Sequence, residues 1–184
     1  MNKKLTAWLR AASLVISTGI FLSATTPSAN AFQTELGIGY PVGTGSKELS
    51  PNIDLNVSFY FDRFIDPKID NFVSIGYDSF ALLADSGASF RVFPLLVGIE
   101  LPGKVFTDLN VTFGAAIGAA FGYINVPNIN STNVTAYFDA QIRPGLEYIM
   151  NDSFSILAKT PINFMIGKGS FTYVIYDFGV KFKL

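Results

Sequence analysis

The sequence predicts an all-β fold, an eight-stranded antiparallel up-and-down β-barrel that crosses a membrane with its strands. Three observations predict it. Apolar residues recur at every second position through most of the stretch from Phe32 to Leu184, the period of a strand with two unlike faces. The chain is 49% hydrophobic and only 15% charged, against about 25% charged in ordinary soluble domains. Yet after residue 31 it holds no apolar run of the ~20 residues that a membrane helix needs.

The first segment is not part of the fold. Lys3, Lys4 and Arg10 make a basic start, an apolar run continues to about Leu22, and Ala29 and Ala31 are the small residues that precede a cleavage site before Phe32. Residues 1–31 read as a cleaved secretory signal peptide, and 32–184 as one domain. Removing that segment leaves 13 − 3 = 10 basic residues against 14 acidic ones, a net charge of −4. Such a balance argues against a nucleic-acid partner, which needs a basic patch. The chain has no Cys, so no disulfide framework and no lipid anchor through a cysteine is available.

The strands follow in order. The first alternates Phe32, Thr34, Leu36, Ile38 and Tyr40 with Gln33, Glu35, Gly37 and Gly39, and the second alternates Ile53 to Phe61 with Asn52, Asp54, Asn56, Ser58 and Tyr60. The third sets Val73, Ile75 and Tyr77 against Ser74, Gly76 and Asp78; the fourth sets Leu95 to Leu101 against Leu96, Gly98 and Glu100. In the fifth, Leu109 to Tyr123 alternate with a row of small residues that includes Gly114, Gly118 and Gly122. The sixth carries Asp139, Arg143 and Glu147, the seventh Ser155, Lys159 and Asn163, and the eighth Asp177, Gly179 and Lys181 on the polar phase. Segments 41–51, 80–89, 124–133 and 166–171 are expected as the connections at one end. Segments 62–70, 102–107 and 149–153 are the turns at the other, and an even strand count puts both termini together at that end.

Alternation alone leaves open which face is outward. Small polar-phase residues suit a crowded interior rather than a solvated surface. Aromatics gather near strand ends (Phe32, Tyr40, Phe61, Tyr123, Tyr148, Phe154, Phe164 and Phe182), as in the interfacial girdles of membrane barrels. Many strands reach the ten residues that cross a bilayer when tilted. Glu35, Asp54, Asp78, Glu100, Asp139, Arg143, Glu147, Lys159, Asp177 and Lys181 fall inside strands on the polar phase, so they are expected to form a paired polar network in the lumen. Arg91 is expected to join that network through a bulge at Phe93-Pro94 in the fourth strand, because Pro94 has no N–H for the ladder. That bulge would turn Phe90 and Val92 toward lipid. The alternative keeps the alternation unbroken and leaves Arg91 outside, at the rim.

The chain ends "DFGVKFKL": Asp177, then Gly179, Phe182 and Leu184. This resembles the C-terminal signal by which bacterial outer-membrane barrels are passed to their assembly machinery, although members usually end in Phe and Leu184 departs from that. With the signal segment and eight amphipathic strands, 32–184 resembles the small eight-stranded barrels of the OmpA/OmpX type. The resemblance implies residence in the bacterial outer membrane, export by the general secretory pathway, and contact with outer-membrane lipid. It specifies no surface ligand, because this architecture serves many functions.

Chemistry is restricted by one absence. The chain contains no His, so a His-dependent triad or dyad of the kind used by enzymes of similar fold is impossible. Zinc lacks its usual ligands; an acid-only calcium site is left open. No catalytic, cofactor-binding or metal-binding residues are assigned. The expected function is a non-enzymatic barrel of structural or surface-interaction type, its lumen filled by polar side chains. A narrow channel for small solutes is the alternative, and a soluble periplasmic lipid-binding barrel the third.

Overall fold

The computed structural model describes residues 30–43, 45–61, 68–83, 87–126 and 134–184. The expected signal segment up to Ala29, most of turn 62–70 and most of loop 124–133 lie outside the described residues. Among the described residues, all regular elements except the short 3-10 turn Gly45–Lys47 are strands: β1 (Ala31–Val42), β2 (Leu49–Phe61), β3 (Asp70–Leu82), β4 (Ser89–Lys104), β5 (Leu109–Asn125), β6 (Val134–Asn151), β7 (Phe154–Lys159), β8 (Ile162–Ile166) and β9 (Phe171–Lys183). Each pairs antiparallel with its neighbours, and β9 pairs back onto β1 from Ala31↔Lys183 to Val42↔Thr172, so the sheet closes.

The nine strands of the described residues make eight spans. β7 and β8 are the two halves of the expected seventh strand: Lys159↔Asp177 and Ile162↔Val174 hold one register against β9, as Gly145↔Lys159 and Ile142↔Ile162 do against β6. The interruption at Thr160-Pro161 has a chemical cause. Pro161 lacks an N–H, and so does Pro144, which faces Thr160 across the ladder. Their carbonyls still accept, from Thr160 N–H (2.8 Å, to Pro144) and Ile175 N–H (2.9 Å, to Pro161).

The register sets the barrel's shape. Paired residues lead from Phe32 to Phe59, Val73, Val97, Ile117, Ala140, Phe164 and Thr172, and return to β1 at Val42. The circuit is displaced by ten residues, from 32 to 42. With ~3.3 Å per residue and ~4.8 Å between strands, that stagger over eight spans tilts the strands by roughly 40°.

The apolar face is outside. Leu36, Ile53, Ile117, Val134 and Phe178 are each more than half exposed, whereas Glu35, Asp78, Glu100, Asp139, Arg143 and Lys159 are at most 2% exposed. This is the reverse of a water-soluble barrel, which does not leave a contiguous apolar surface of this extent. It suits a surface covered by lipid, where a closed sheet satisfies every ladder group.

One expectation is corrected. There is no bulge in β4. Its pairs with β5 run without a shift from Ser89↔Asn125 to Lys104↔Asn110, and those with β3 keep one register on both sides of Pro94. Arg91 therefore faces outward and does not belong to the lumen network, while Phe90 and Val92 point inward and are buried. The proline is accommodated by its neighbour instead. Pro94 lies opposite Gly76, where a Cβ would sit 2.8 Å from the Pro94 Cγ, so glycine supplies the room that a bulge would otherwise provide.

A candidate functional site in the barrel lumen

The lumen is filled in three tiers. The lowest, at the end bearing the chain termini, is ionic. Arg143 on β6 donates from Nη2 to Glu35 Oε2 on β1 at 2.6 Å, and its guanidinium carbon lies 4.7 Å from the centre of the Phe72 ring. Lys159 on β7 donates to Glu100 Oε2 on β4 at 2.5 Å, and reaches Tyr60 Oη at 3.3 Å and Gln33 Oε1 at 3.4 Å. The Tyr60 hydroxyl donates to Gln33 Oε1 at 2.9 Å. Lys181 lies 3.9 Å from both Asp70 and Glu147, with its ammonium 4.2 Å above the Tyr60 ring. Side chains from β1, β2, β4, β6, β7 and β9 thus tie distant strands together across the barrel. Each ion gains partners that offset the cost of leaving water.

Above it lies an acidic tier. Asp54 sits beside Asp78 and Asp177. Asp78 accepts from Asn52 Nδ2 at 2.7 Å and from the Tyr173 hydroxyl at 2.9 Å. Gln141 donates to Asn163 Oδ1 at 2.6 Å. Asp139 is fully buried, and neither of its oxygens meets a donor among the described residues. Also among the described residues, no group of three or more acidic side chains is placed to hold a metal ion.

The third tier was not foreseen. At the loop end the inward face turns aromatic: Phe80, Phe90, Phe171, Tyr173 and Tyr137 pack with Leu49, Val92 and Met165. Phe80 meets Tyr173 edge-on at 5.2 Å and Phe171 at 5.8 Å; Phe90 meets Phe171 at 5.8 Å and Tyr137 at 6.3 Å. Edge-to-face packing of this kind adds to the burial it accompanies. The signal for it was present: carrying the inward phase unbroken from Asp78 to Phe80 and from Leu96 back to Phe90 reaches these rings.

The C-terminal motif is split between faces. Asp177 is buried in the lumen, on the pairing position opposite Lys159. Gly179 is hemmed in by the Glu35 Cα, 3.0 Å from where its Cβ would be, and by the Thr34 carbonyl. Phe182 faces outward between Phe32 (6.5 Å) and Phe154 (5.2 Å). Leu184 N–H donates to Asn30 O at 2.9 Å, and the Leu184 side chain is exposed. Of the residues flanking the expected cleavage site, Ala31 and Phe32 begin β1 and Ala29 lies outside the described residues.

Closed register, outward apolar band and filled polar lumen define the fold of the small eight-stranded outer-membrane β-barrels. Among solved structures, Neisserial surface protein A matches with a TM-score of 0.68 at 11% identity, over 84% of this chain and 96% of that one. Ail, the attachment invasion locus protein of Yersinia pestis, matches at 0.54 and 9% identity, over 85% and 100%. A major outer membrane protein of Thermus thermophilus matches at 0.53 and 11% identity, over 84% and 99%. At these identities the likeness is one of fold. No family model and no curated protein matches the sequence.

Proposed function

We propose that this chain is an integral protein of the bacterial outer membrane, non-enzymatic and of structural or surface-interaction type, with a sealed lumen. The observation that carries this reading is the filling of the lumen: an ionic tier and an aromatic tier, each made of buried side chains from several strands, succeed one another along the axis. Eight spans enclose only enough room for side chains. The absence of His removes the commonest acid–base residue, and the fold is shared with Ail, whose name is that of an attachment protein. In this reading the chain is exported by the general secretory pathway and handed to the barrel-assembly machinery through β9. It rests in outer-membrane lipid and has no nucleic-acid partner; any surface ligand would meet the loops.

Conductance in planar bilayers tests the sealed lumen. The purified barrel is expected to give no steady unit conductance. A reproducible ohmic step would favour the narrow channel and reject the plug. Topology has its own test. Lys168, between β8 and β9, and Lys104, at the end of β4, are both exposed at opposite ends of the barrel. A Lys168→Cys variant is expected to react with an impermeant maleimide on intact cells and a Lys104→Cys variant only after lysis. The opposite pattern would invert the barrel.

A further inference from the structure

Arg91 stands out on the outer wall. It is the only charged residue at an outward-facing position within the described strands, where the outward phase is otherwise uncharged and mostly aliphatic or aromatic. It lies two residues from the start of β4 at Ser89, hence near the loop end of the barrel, and pairs in register with Tyr123 on β5 and Ser79 on β3. An aromatic ridge flanks it: Phe93 stacks on Tyr123 with centroids 6.1 Å apart and meets Tyr77 at 5.2 Å.

The guanidinium is short of acceptors. Five N–H donors project from it. Nη1 donates to the Tyr123 hydroxyl at 3.4 Å, a long bond, and Nε is buried without a partner among the described residues. No carboxylate among the described residues pairs with it, in contrast to Arg143 inside the lumen. A cation on the lipid face costs ~2–4 kcal/mol at mid-bilayer and ~0–1 near the interface, so its place at the strand end is tolerable. Tolerance does not explain the orphaned donors. At that depth the anion a membrane supplies is a lipid phosphate, whose oxygens match the planar fork of an arginine. Tyr123, while accepting from Arg91, keeps its own O–H proton to donate to the same group, and Ser79 adds a hydroxyl across the ladder.

We propose that Arg91 and Tyr123 form a binding site for the phosphate of a membrane lipid on the outer wall at the loop end, with the acyl chains lying along the apolar face below. The proposal rests on the membrane reading of the fold and is independent of which leaflet the loop end faces.

The test uses the refolded 32–184 barrel with 15Nε-labelled arginine in uncharged detergent micelles. Dimyristoyl phosphatidic acid, dimyristoyl glycerol and inorganic phosphate are titrated separately. The Arg91 Nε–H resonance is expected to shift saturably with phosphatidic acid and to stay in place with the other two. Arg91→Gln should weaken phosphatidic acid retention, measured by native mass spectrometry, by about tenfold or more, and Tyr123→Phe by a few-fold. No shift with phosphatidic acid overturns the proposal. An equal shift with inorganic phosphate overturns the lipid as its source, and one with the glycerol lipid reduces the site to acyl contact. The wild-type titration decides these outcomes whether or not a variant folds, and a folded barrel that fails it leaves the membrane reading standing.

Discussion

An Arg143→Ala barrel is expected to lose about 3–5 kcal/mol of unfolding free energy, the usual consequence of removing one partner from a buried ion pair. Arg143 and Glu35 are both about 1% exposed at their side chains, and their pair joins β6 to β1 across the lumen. Losing the guanidinium leaves the Glu35 carboxylate with Lys159 alone, at 4.0 Å, and removes the cation stacked on Phe72. Urea unfolding of the refolded protein in detergent, followed by circular dichroism and by the gel shift between folded and boiled forms, measures the loss. Glu35→Ala and the double variant complete a cycle, and the coupling between the two sites should be large and favourable. A loss below about 1 kcal/mol, the range of solvent-exposed pairs, would mean that water reaches the lowest tier, and would reopen the case for a conducting lumen.

Removing Phe182 to Leu184 is expected to abolish assembly in cells. The deletion takes away the ring held between Phe32 and Phe154 and the backbone bond from Lys183 N–H to Ser153 O, which fastens the end of β9 beside its neighbour. Two aromatic pairs at ~0.5–1.5 kcal/mol each already amount to a shift of roughly fivefold to a hundredfold in folded population. Loss of a recognition signal would add to that. Cell fractionation should find signal-cleaved, unassembled chain in the periplasm or none at all. Refolding the same truncated chain in detergent separates the causes: folding in vitro with failure in cells identifies recognition by the assembly machinery. Normal assembly in cells would show that "DFGVKFKL" is only the last strand.

Much of the molecule is legible in its sequence because a strand's two faces are a local property. The period of two places Glu35, Asp54, Asp78, Glu100, Asp139, Arg143, Glu147, Lys159, Asp177 and Lys181 on one phase, and the structure buries all of them inside. Where reading failed, a neighbouring strand was responsible. A proline in a strand invites a bulge when that strand is considered alone, but Gly76 across the ladder makes room for Pro94, the alternation survives, and Arg91 stays outside. The seventh span breaks at Thr160-Pro161 because Pro144, on the neighbouring strand β6, faces that point and removes a second donor.

What the sequence by itself determined is the all-β class, the number of spans, the phase of every strand but the first half of the fourth, and the exclusion of histidine chemistry, since each depends on residue types and their spacing. Register between strands belongs to the tertiary structure alone. A ten-residue stagger around the sheet decides which residues of one phase meet at one height. It brings Lys159 to Glu100 and Arg143 to Glu35, sets Asp54, Asp78, Asp139 and Asp177 together in the tier above, and gathers Phe80, Phe90 and Phe171 into a plug. The widest of those meetings, Arg143 with Glu35 and Asp54 with Asp177, join residues more than a hundred positions apart, and no local pattern encodes them, because they arise only when the last strand closes on the first.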